Sequence, residues 1–269
     1  MNAELLLKFV LDCDRAYLFA HPERELTPEN ETRYDAALGE RLRGMPAQYI
    51  TGHQEFWGMD LIVTPAVLIP RPETEHVVET VLELVNSGLR TQDSGLPGSQ
   101  PVLRIVDVGT GSGAIALALA KELPDAEIHA SDISSAALEI ARANAARHQL
   151  EERIHFHQTD LLEGLSGEFD LVVSNPPYVG ESEADQVQLE VRKFEPRNAV
   201  FAGPAGTEVM ARLIPQAESV LRCGGWLLME VSGTIVEDVR RLLQGWEQVE
   251  ITADLQSIPR VVRARKHKT

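Results

Sequence analysis

The run of residues best suited to chemistry is Asn175-Pro176-Pro177-Tyr178, which directly follows an apolar run ending at Ser174. Asparagine carries an acceptor oxygen and a donor amide, and two prolines fix the backbone and direct its carbonyls. Tyrosine adds a flat apolar face with a polar tip. The Asn175 side-chain oxygen and the backbone carbonyls that the prolines direct are acceptors that a donor group of a ligand could use. We therefore predict a site at this strand end, with all four residues as candidates for catalysis and for substrate binding.

A second candidate site is the glycine-rich stretch that begins at Asp107, and its residues are Gly109, Thr110, Gly111, Ser112 and Gly113. Glycines allow the backbone to turn sharply and to approach a ligand closely. The dinucleotide fingerprint places its third glycine three positions after the second, whereas Gly113 follows Gly111 by two. This spacing disfavours a nicotinamide dinucleotide. The Asp107 carboxylate is also compatible with a cationic ligand and not with a pyrophosphate.

Two more acidic positions follow predicted strands. Asp132 lies about 20 residues after the glycine-rich stretch, where an acid can hold both hydroxyls of a ribose, and Ile133 follows it. Asp160 and Leu161 come after the next strand. We predict that all four residues bind the same nucleoside-containing cofactor.

The elements that must position these residues are strands alternating with helices. This alternation predicts an α/β fold with a mostly parallel sheet of seven strands, covered on both faces. In such sheets ligands bind beyond the carboxyl ends of the strands, where every candidate residue above is expected. The predicted strands are 103–108, 127–131, 154–158, 171–174, 226–231, 249–252 and 261–264, and the predicted helices are 74–85, 114–123, 134–148, 208–221 and 236–243.

The chain before the sheet has a different pattern. Together with the sheet it predicts three parts, a helical domain, a linker and a sheet domain. Apolar residues at helical spacing between 4 and 44 predict a small helical domain over 1–47, with Leu6, Phe9, Val10, Cys13, Tyr17 and Leu18 on one stripe. Short β-prone runs at 49–51 and 59–63 predict a β-hairpin linker over 48–73. The sheet domain then occupies 74–269, with a polar loop at 87–101.

Composition excludes several classes of protein. The net charge of −16 argues against nucleic acid as the principal substrate, because binding to phosphates depends on basic surfaces. No apolar run is long enough to span a membrane, and Cys13 and Cys223 have no metal-type spacing, so we expect a cytoplasmic protein. His155 and His157 alternate on one strand without an evident third ligand, so we predict no metal.

The candidate motifs also resemble those of known families. The stretch from Asp107 to Gly113 resembles motif I of Rossmann-like methyltransferases, and Asn175 to Tyr178 resembles the motif of methyltransferases that act on planar conjugated nitrogens. Over nearly the whole chain the sequence resembles the release-factor glutamine methyltransferases, the PrmC/HemK family. The stretches that carry this resemblance are 46–52, 55–58, 67–75, 175–178, 195–203 and 254–260.

The resemblance implies a Rossmann-like fold and S-adenosyl-L-methionine as the cofactor. It implies that the acceptor is the glutamine of the Gly-Gly-Gln loop of peptide chain release factors, held in part by the helical N-terminal domain. Asn175 and the prolines would hold its amide, Tyr178 would line its pocket, and Arg71 and Glu73 would lie over the cleft. A hinge salt bridge is the alternative role for Arg71 and Glu73.

The chain departs from the family pattern at two places. The polar loop at 87–101 is longer than usual, and 256–259 precede Arg260 where the family more often has a glycine, which leaves the role of Arg260 open. The competing functions are a nucleic-acid amino-methyltransferase (adenine N6 or guanine N2), a non-catalytic binding protein that keeps the fold, and a nicotinamide dehydrogenase.

Overall fold

The described residues, 2–89 and 102–268 of a computed structural model, begin with helices, as the sequence predicted. These helices are α1 (Asn2–Leu11), α2 (Arg15–Ala20), α3 (Pro28–Leu42) and α4 (Ala47–Thr51). Helix α3 starts as its sequence predicts, with Pro28 in the first turn and the Thr27 hydroxyl accepting from the Asn30 amide at 3.2 Å.

The single apolar stripe predicted over residues 6–18 is wrong. Asp12 has a left-handed φ of 47°, which ends α1, and the Asp14 carboxylate starts α2 by accepting from the Tyr17 amide at 2.7 Å. Because α1 and α2 are separate short helices, the predicted residues do not share one helix face, and only Leu6 and Val10 of them are buried. Phe9 and Tyr17 remain exposed, as does Phe19.

The predicted hairpin is present, but its first strand begins later than expected. Residues 49–51 form the end of α4, which Gly52 terminates in a left-handed conformation (φ 78°). Strand β1 (His53–Phe56) then pairs with the antiparallel strand β2 (Met59–Ile62). The prediction of a strand at 49–51 was wrong because β-prone residue types can be helical when a proline precedes them and a glycine follows.

The remainder of the chain alternates strands and helices around one sheet. In chain order the elements are α5 (Glu75–Asn86), β3 (Arg104–Val108), α6 (Ala114–Glu122), β4 (Glu127–Asp132), α7 (Ser135–Arg147), β5 (Ile154–Gln158), β6 (Phe169–Ser174), β7 (Val179–Gly180), α8 (Leu189–Phe194), α9 (Arg197–Val200), β8 (Phe201–Gly203), α10 (Glu208–Val220), β9 (Leu221–Glu230), α11 (Val236–Leu242), β10 (Glu247–Ala253) and β11 (Pro259–Arg265). Residues 90–101 of the predicted polar loop lie outside the described residues.

The seven-stranded sheet has the order β10-β11-β9-β6-β3-β4-β5, and only β11 runs antiparallel to its neighbours. Neighbouring residues of β3 point to opposite faces: Ile105 packs with α5, α6 and the hairpin, and Val106 packs with α10 and α11. The predicted fold class is therefore confirmed. Strand β3 is central, with parallel neighbours on both sides, so the loops after β3, β4 and β6 meet at one edge of the sheet.

Two features of this part were not predicted. The segment between the sheet strands β6 and β9 contains the short parallel pair β7 and β8 together with helices α8 and α9. These elements are too short to produce a periodic pattern.

No helix in the described part of the chain is long and apolar enough to cross a membrane.

Candidate active site

A cavity of about 530 Å³ opens at the carboxyl edge of the sheet. Of the predicted site residues, those that line it are Gly109, Thr110, Gly111, Ser112, Asp132, Ile133, Asp160, Leu161, Asn175 and Pro177. Asp107, Gly113, Pro176, Tyr178, Arg71 and Glu73 do not line it. These predicted residues meet there because each of their segments follows the carboxyl end of one of the parallel strands β3, β4, β5 and β6.

The glycine loop is fixed to the end of β4. The amides of Gly109 and Thr110 both donate to the Ser131 carbonyl, at 2.8 and 2.9 Å. Gly109 and Gly111 have φ values of 71° and 56°, and a Cβ added at Gly109 would meet nothing within 4 Å. At Gly109 the loop therefore leaves room for a ligand to approach the backbone closely.

Gly113 has a different role from the other two glycines. Its φ is 86°, and an added Cβ would lie 2.5 Å from Leu117 Cδ1 and 3.3 Å from Ala141 Cβ. It precedes α6 and allows that helix to pack against α7. Gly113 is thus required for packing, although the sequence pattern grouped it with the ligand-binding glycines.

Asp107 lies behind the glycine loop and is 1% exposed. Its Oδ2 accepts from the Thr110 hydroxyl at 2.6 Å and from the Ala116 amide at 3.2 Å, while Oδ1 has no partner among the described residues. Burial raises the pKa of Asp107 to about 7, against the lowering effect of these two hydrogen bonds. The carboxyl group therefore connects the glycine loop, through Thr110, to the start of α6, through Ala116.

Asp132 lines the cavity and organises the backbone around it. Its Oδ2 accepts from the Gly111 amide and its Oδ1 from the Ser134 amide, both at 2.9 Å. Burial raises the pKa of Asp132, and these bonds oppose the shift. A carboxylate has about four acceptor sites, so two hydroxyl donors can still bind.

The segment after β5 contributes a residue with a left-handed backbone and an acid that forms an ion pair with α10. Leu161 has a left-handed φ of 56°, which is unfavourable for a branched side chain, and its carbonyl accepts from the Ser131 hydroxyl at 2.9 Å. The neighbouring Asp160 pairs with Arg212 of α10, with 2.5 Å between Oδ2 and Nη2. Arg212 also lines the cavity, and the sequence prediction missed it.

Asn175 lies at the carboxyl end of β6 with its side chain oriented by Thr74. The Asn175 Nδ2 donates to Thr74 Oγ1 at 3.0 Å, and both residues line the cavity. This bond uses an amide hydrogen and leaves the side-chain oxygen for another donor. Tyr178 is not among the residues that line the cavity, and its hydroxyl donates to Glu230 Oε1 at 3.1 Å.

Arg71 and Glu73 do not pair with each other. Arg71 Nη2 lies 2.5 Å from Oε1 of the buried Glu195, whose Oε2 accepts from the Ile69 amide at 3.1 Å. Glu73 lies 3.8 Å from Arg260, and Arg260 Nε donates to Asp254 Oδ2 at 2.8 Å. Both residues therefore tie the 65–74 segment to elements near the carboxyl edge of the sheet.

Sequence reasoning missed one wall of the cavity. The additional lining residues are Pro65, Ala66, Val67, Leu68, Pro70, Thr74, Ala114, Ile115, Ser134, Ala137, Pro196, Asn198, Ala199, Phe201, Val209 and Arg212. Many of them belong to stretches 67–75 and 195–203, which carry the family resemblance, but that resemblance implies a role there only for residues 71–75. Most of these side chains are apolar, and an apolar residue type does not by itself indicate a ligand site. Their place in the cavity wall depends on contacts between distant segments of the chain.

The histidine pair has a third histidine beside it, which the sequence reading did not include. His129 Nδ1 and His157 Nε2 are 2.9 Å apart, and His129 Nε2 lies 2.6 Å from Glu127. Burial lowers the pKa of both His129 and His157. Among residues 2–89 and 102–268, no group of three or more His, Cys, Asp or Glu side chains could hold a metal ion.

Comparison with known structures supports the fold. The catalytic domain of hMettl16, solved with a MAT2A 3′UTR hairpin, matches with a TM-score of 0.60 at 17% identity, over 83% of this chain and 80% of that one. A T. thermophilus 16S rRNA N2 methyltransferase, solved with AdoMet and guanosine, matches with a TM-score of 0.55 at 18% identity, over 80% of this chain and 50% of that one. At these identities the likeness establishes the methyltransferase fold alone.

Sequence comparison is more specific. Residues 1–52 match the PrmC N-terminal domain model and residues 96–193 match the Methyltransferase small domain model. The release factor glutamine methyltransferase of Koribacter versatilis (strain Ellin345) is 52% identical over 99% of this chain and 91% of its own length. That of Chlorobaculum tepidum is 43% identical over 97% of this chain and 88% of its own length. The chain therefore belongs to the release factor glutamine methyltransferase family.

Proposed function

We propose that this enzyme transfers a methyl group from S-adenosylmethionine to the side-chain amide nitrogen of the glutamine in the Gly-Gly-Gln motif of peptide chain release factors. The observation that carries the proposal is the orientation of Asn175. Its amide nitrogen bonds to Thr74, so its oxygen remains available at the edge of the cavity. Family membership supports the same acceptor.

The residues of the cavity fit S-adenosylmethionine. The open space above Gly109 admits close approach of a ligand to the backbone, and the spare acceptor sites of Asp132 suit a ribose. The apolar Ile133 is 57% exposed beside this carboxylate, as a surface for an adenine requires. Asp160 and Leu161 extend the same wall. Asp107 acts indirectly, by holding Thr110 and the start of α6.

When bound, S-adenosylmethionine supplies a methyl group activated by a sulfonium. The protein must present an amide nitrogen whose lone pair is delocalised and weakly nucleophilic. The Asn175 side-chain oxygen and the Pro176 carbonyl accept the two amide hydrogens, which fixes the plane of the NH2 group. Positioning of this kind contributes roughly 7–11 kcal/mol in favourable cases.

The same oxygens stabilise the positive charge that develops on the nitrogen during transfer. Methyl transfer to the neutral amide first gives an N-methylated amide cation, which is a strong acid and loses its proton readily, so no strong base is required. Pro177 contributes an apolar contact at the cavity edge. Tyr178 holds the loop through Glu230 and does not contact the cavity, which refines the pocket-lining role expected for it.

The N-terminal domain, proposed to span 1–47, grips the release factor, and the 48–73 hairpin linker joins it to the catalytic domain at 74–269. Arg41 of α3 lies 2.8 Å from Glu190 of α8, and Lys193 Nζ donates to the Arg43 carbonyl at 3.2 Å. These contacts connect the N-terminal helices to the segment that follows Tyr178. Arg71 and Glu73 support the cleft between them. The site of action is the cytoplasm, where release factors work.

The test is methylation of an unmethylated release factor by the purified protein, with the product peptide mapped by mass spectrometry. One methyl group on the Gly-Gly-Gln glutamine is expected. Asn175→Ala removes the acceptor oxygen, and kcat should fall by about 10²- to 10³-fold. The matched control is Asn86→Ala, at the exposed end of α5, which should leave kcat unchanged.

Two outcomes would overturn the proposal. One is an unmodified glutamine with label entering ribosomal RNA or DNA, which would favour the nucleic-acid amino-methyltransferase. The other is full activity of Asn175→Ala on the release factor, which would remove Asn175 from the chemistry.

A further inference from the structure

A buried carboxylate joins two segments of the cavity wall that are far apart in the sequence. Glu195 follows helix α8 and is 6% exposed. Its Oε2 accepts from the Ile69 amide at 3.1 Å, and its Oε1 lies 2.5 Å from Arg71 Nη2. Hydrogen bonds to a charged group are stronger than those between neutral groups. Glu195 therefore connects residues 69–71 firmly to the end of α8.

Both connected segments line the cavity. The lining residues of segments 65–74 and 196–201 are Pro65, Ala66, Val67, Leu68, Pro70, Thr74, Pro196, Asn198, Ala199 and Phe201. Neither segment belongs to the seven-stranded sheet, so the hydrogen bonds of that sheet do not fix their positions. The separation of these two walls depends instead on contacts such as those of Glu195.

The 65–74 wall reaches the proposed cofactor end of the cavity at Val67. The Tyr49 hydroxyl donates to the Val67 carbonyl at 2.6 Å. Val67 packs with Ala137 of α7, the helix that follows the loop of Asp132. Val67, Ala137 and Asp132 all line the cavity. The wall therefore extends to the part of the cavity proposed to hold the ribose.

The other end of the same wall is fixed without Glu195. Thr74 Oγ1 accepts from Asn175 Nδ2 at 3.0 Å, which joins the end of the 65–74 segment to the loop after β6. Loss of the Glu195 contacts would thus release residues 69–71 and leave Asn175 held by Thr74.

We infer that Glu195 is a positioning residue that holds the 65–74 and 196–201 walls together around S-adenosylmethionine, and that it acts on cofactor binding and not on methyl transfer. The inference rests on the proposed function. If the walls separate for part of the time, only the closed fraction binds the cofactor, and the apparent Kd rises accordingly. Because the wall contacts are the same before and during transfer, kcat at saturation is preserved.

Glu195→Gln tests this inference with little change of shape. Ile69 and Arg71 both present donors, whereas the glutamine side chain has one oxygen and one NH2 group. One of the two donors must therefore face the NH2 group, with which it cannot bond. We expect Kd for S-adenosylmethionine, measured by calorimetry, to rise by about 10- to 100-fold, the value of a hydrogen bond to a charged group. At saturating cofactor kcat should stay within about threefold of wild type.

A double variant separates this pairing from general damage to the fold. Arg71 does not line the cavity, so Arg71→Met removes no cofactor contact. It leaves the buried Glu195 without its cation and should also raise Kd for S-adenosylmethionine. Because both changes break the same connection, Arg71→Met/Glu195→Gln should bind no more weakly than the weaker single variant. Additive losses of affinity would contradict a shared role.

Asp170 provides a matched control at the amino end of β6, away from the cavity. Its Oδ2 accepts from the Arg104 amide at 2.7 Å, and its Oδ1 lies 2.5 Å from Arg222 Nε, so its contacts have the same form as those of Glu195. It is 9% exposed and does not line the cavity. Asp170→Asn should lower Tm about as much as Glu195→Gln does and leave Kd for S-adenosylmethionine unchanged.

The last readout needs neither ligand nor activity. In the protein alone, hydrogen exchange of the Ile69 amide should be faster, relative to other buried amides, in Glu195→Gln but not in Asp170→Asn. Unchanged Ile69 exchange or unchanged Kd in Glu195→Gln overturns the inference, and so does an equal rise of Kd in Asp170→Asn.

Failure of the proposed function gives a different result. A wild-type protein that binds S-adenosylmethionine but leaves the glutamine unmethylated overturns the proposed acceptor, and the Kd values of the variants still decide the inference. A wild-type protein that does not bind S-adenosylmethionine overturns both.

Discussion

At the scale of single residues, the two buried carboxyl groups near the sheet edge have different consequences. Asp107 and Glu230 each have one oxygen without a partner in the described chain. Asp107 bonds to the loop proposed to carry the cofactor, whereas Glu230 bonds to Tyr178 of the proposed acceptor motif. Both positions therefore trade stability for the orientation of a site.

Asp107 gives a pH dependence of stability with a defined sign. Because burial raises its folded-state pKa from 3.8 to about 7, the folded protein binds more protons than the unfolded chain between these values. The free energy of unfolding should therefore fall as pH rises from about 4 to 7 through this residue, and level off above.

Asp107→Asn removes this titration and keeps an acceptor for Thr110. We expect the Tm of the variant, minus that of wild type, to increase between pH 5 and pH 8, as measured by thermal unfolding without ligand. A difference that is constant over this range would show that Asp107 does not carry the shift.

At the scale of elements, the loop between β3 and α6 combines two kinds of glycine. The spacing in the sequence predicted a ligand loop, and the structure gives Gly109 and Gly111 open space and Gly113 a packed environment. All three have positive φ, so their backbone requirement is shared. What distinguishes them is the atom that an added Cβ would meet at each position.

Alanine at Gly109 and at Gly113 should separate these roles. Both substitutions carry the cost of a left-handed conformation, about 1–2 kcal/mol. Gly113→Ala should lower Tm further because its Cβ would lie 2.5 Å from Leu117. Gly109→Ala should instead weaken S-adenosylmethionine binding by tenfold or more, as measured by calorimetry. Equal effects of the two variants on both Tm and affinity would refute the division.

The elements that sequence could and could not predict differ in a physical way. Strands β3, β4, β6 and β9 and helices α5, α6, α7 and α10 bury at least half of their apolar residues, so their patterns are visible in the sequence. The edge strand β10 has no buried residue and is predicted instead by its β-prone residue types. Residues 49–51 were misread because β-prone types also fit a short helix between Pro46 and Gly52. The wall formed by 65–70 and 196–201 was missed because it depends on contacts between distant segments, such as Glu195 with Ile69.

At the scale of the whole molecule, the N-terminal helices leave apolar surface uncovered. Helix α2 has no buried residue, and Phe19 is 69% exposed, with Phe9 and Tyr17 also exposed. Single exposed apolar residues are ordinary, but several on two adjacent short helices form a surface that suits a protein partner.

Phe19→Ser should raise KM for the intact release factor by about tenfold, the effect of an interface residue worth more than 1 kcal/mol. Its KM for S-adenosylmethionine should not change, because α2 does not line the cavity. Leu255→Ser, fully exposed between β10 and β11, is the control. Steady-state kinetics with intact release factor would measure both, and an unchanged KM for Phe19→Ser would place the contact elsewhere.

The bond between Thr74 and Asn175 spans 101 residues, and Glu230, which accepts from the neighbouring Tyr178, is a further 55 residues beyond Asn175. During synthesis a ribosome therefore releases the glycine loop long before the acceptor end of the site exists. Contacts this distant form slowly and late in folding. A ligand stabilises only a state that it can bind. Because the cavity wall includes residues as late as Arg212, a cofactor that fills it can stabilise the chain only after that residue has been made, and core packing must organise the fold until then.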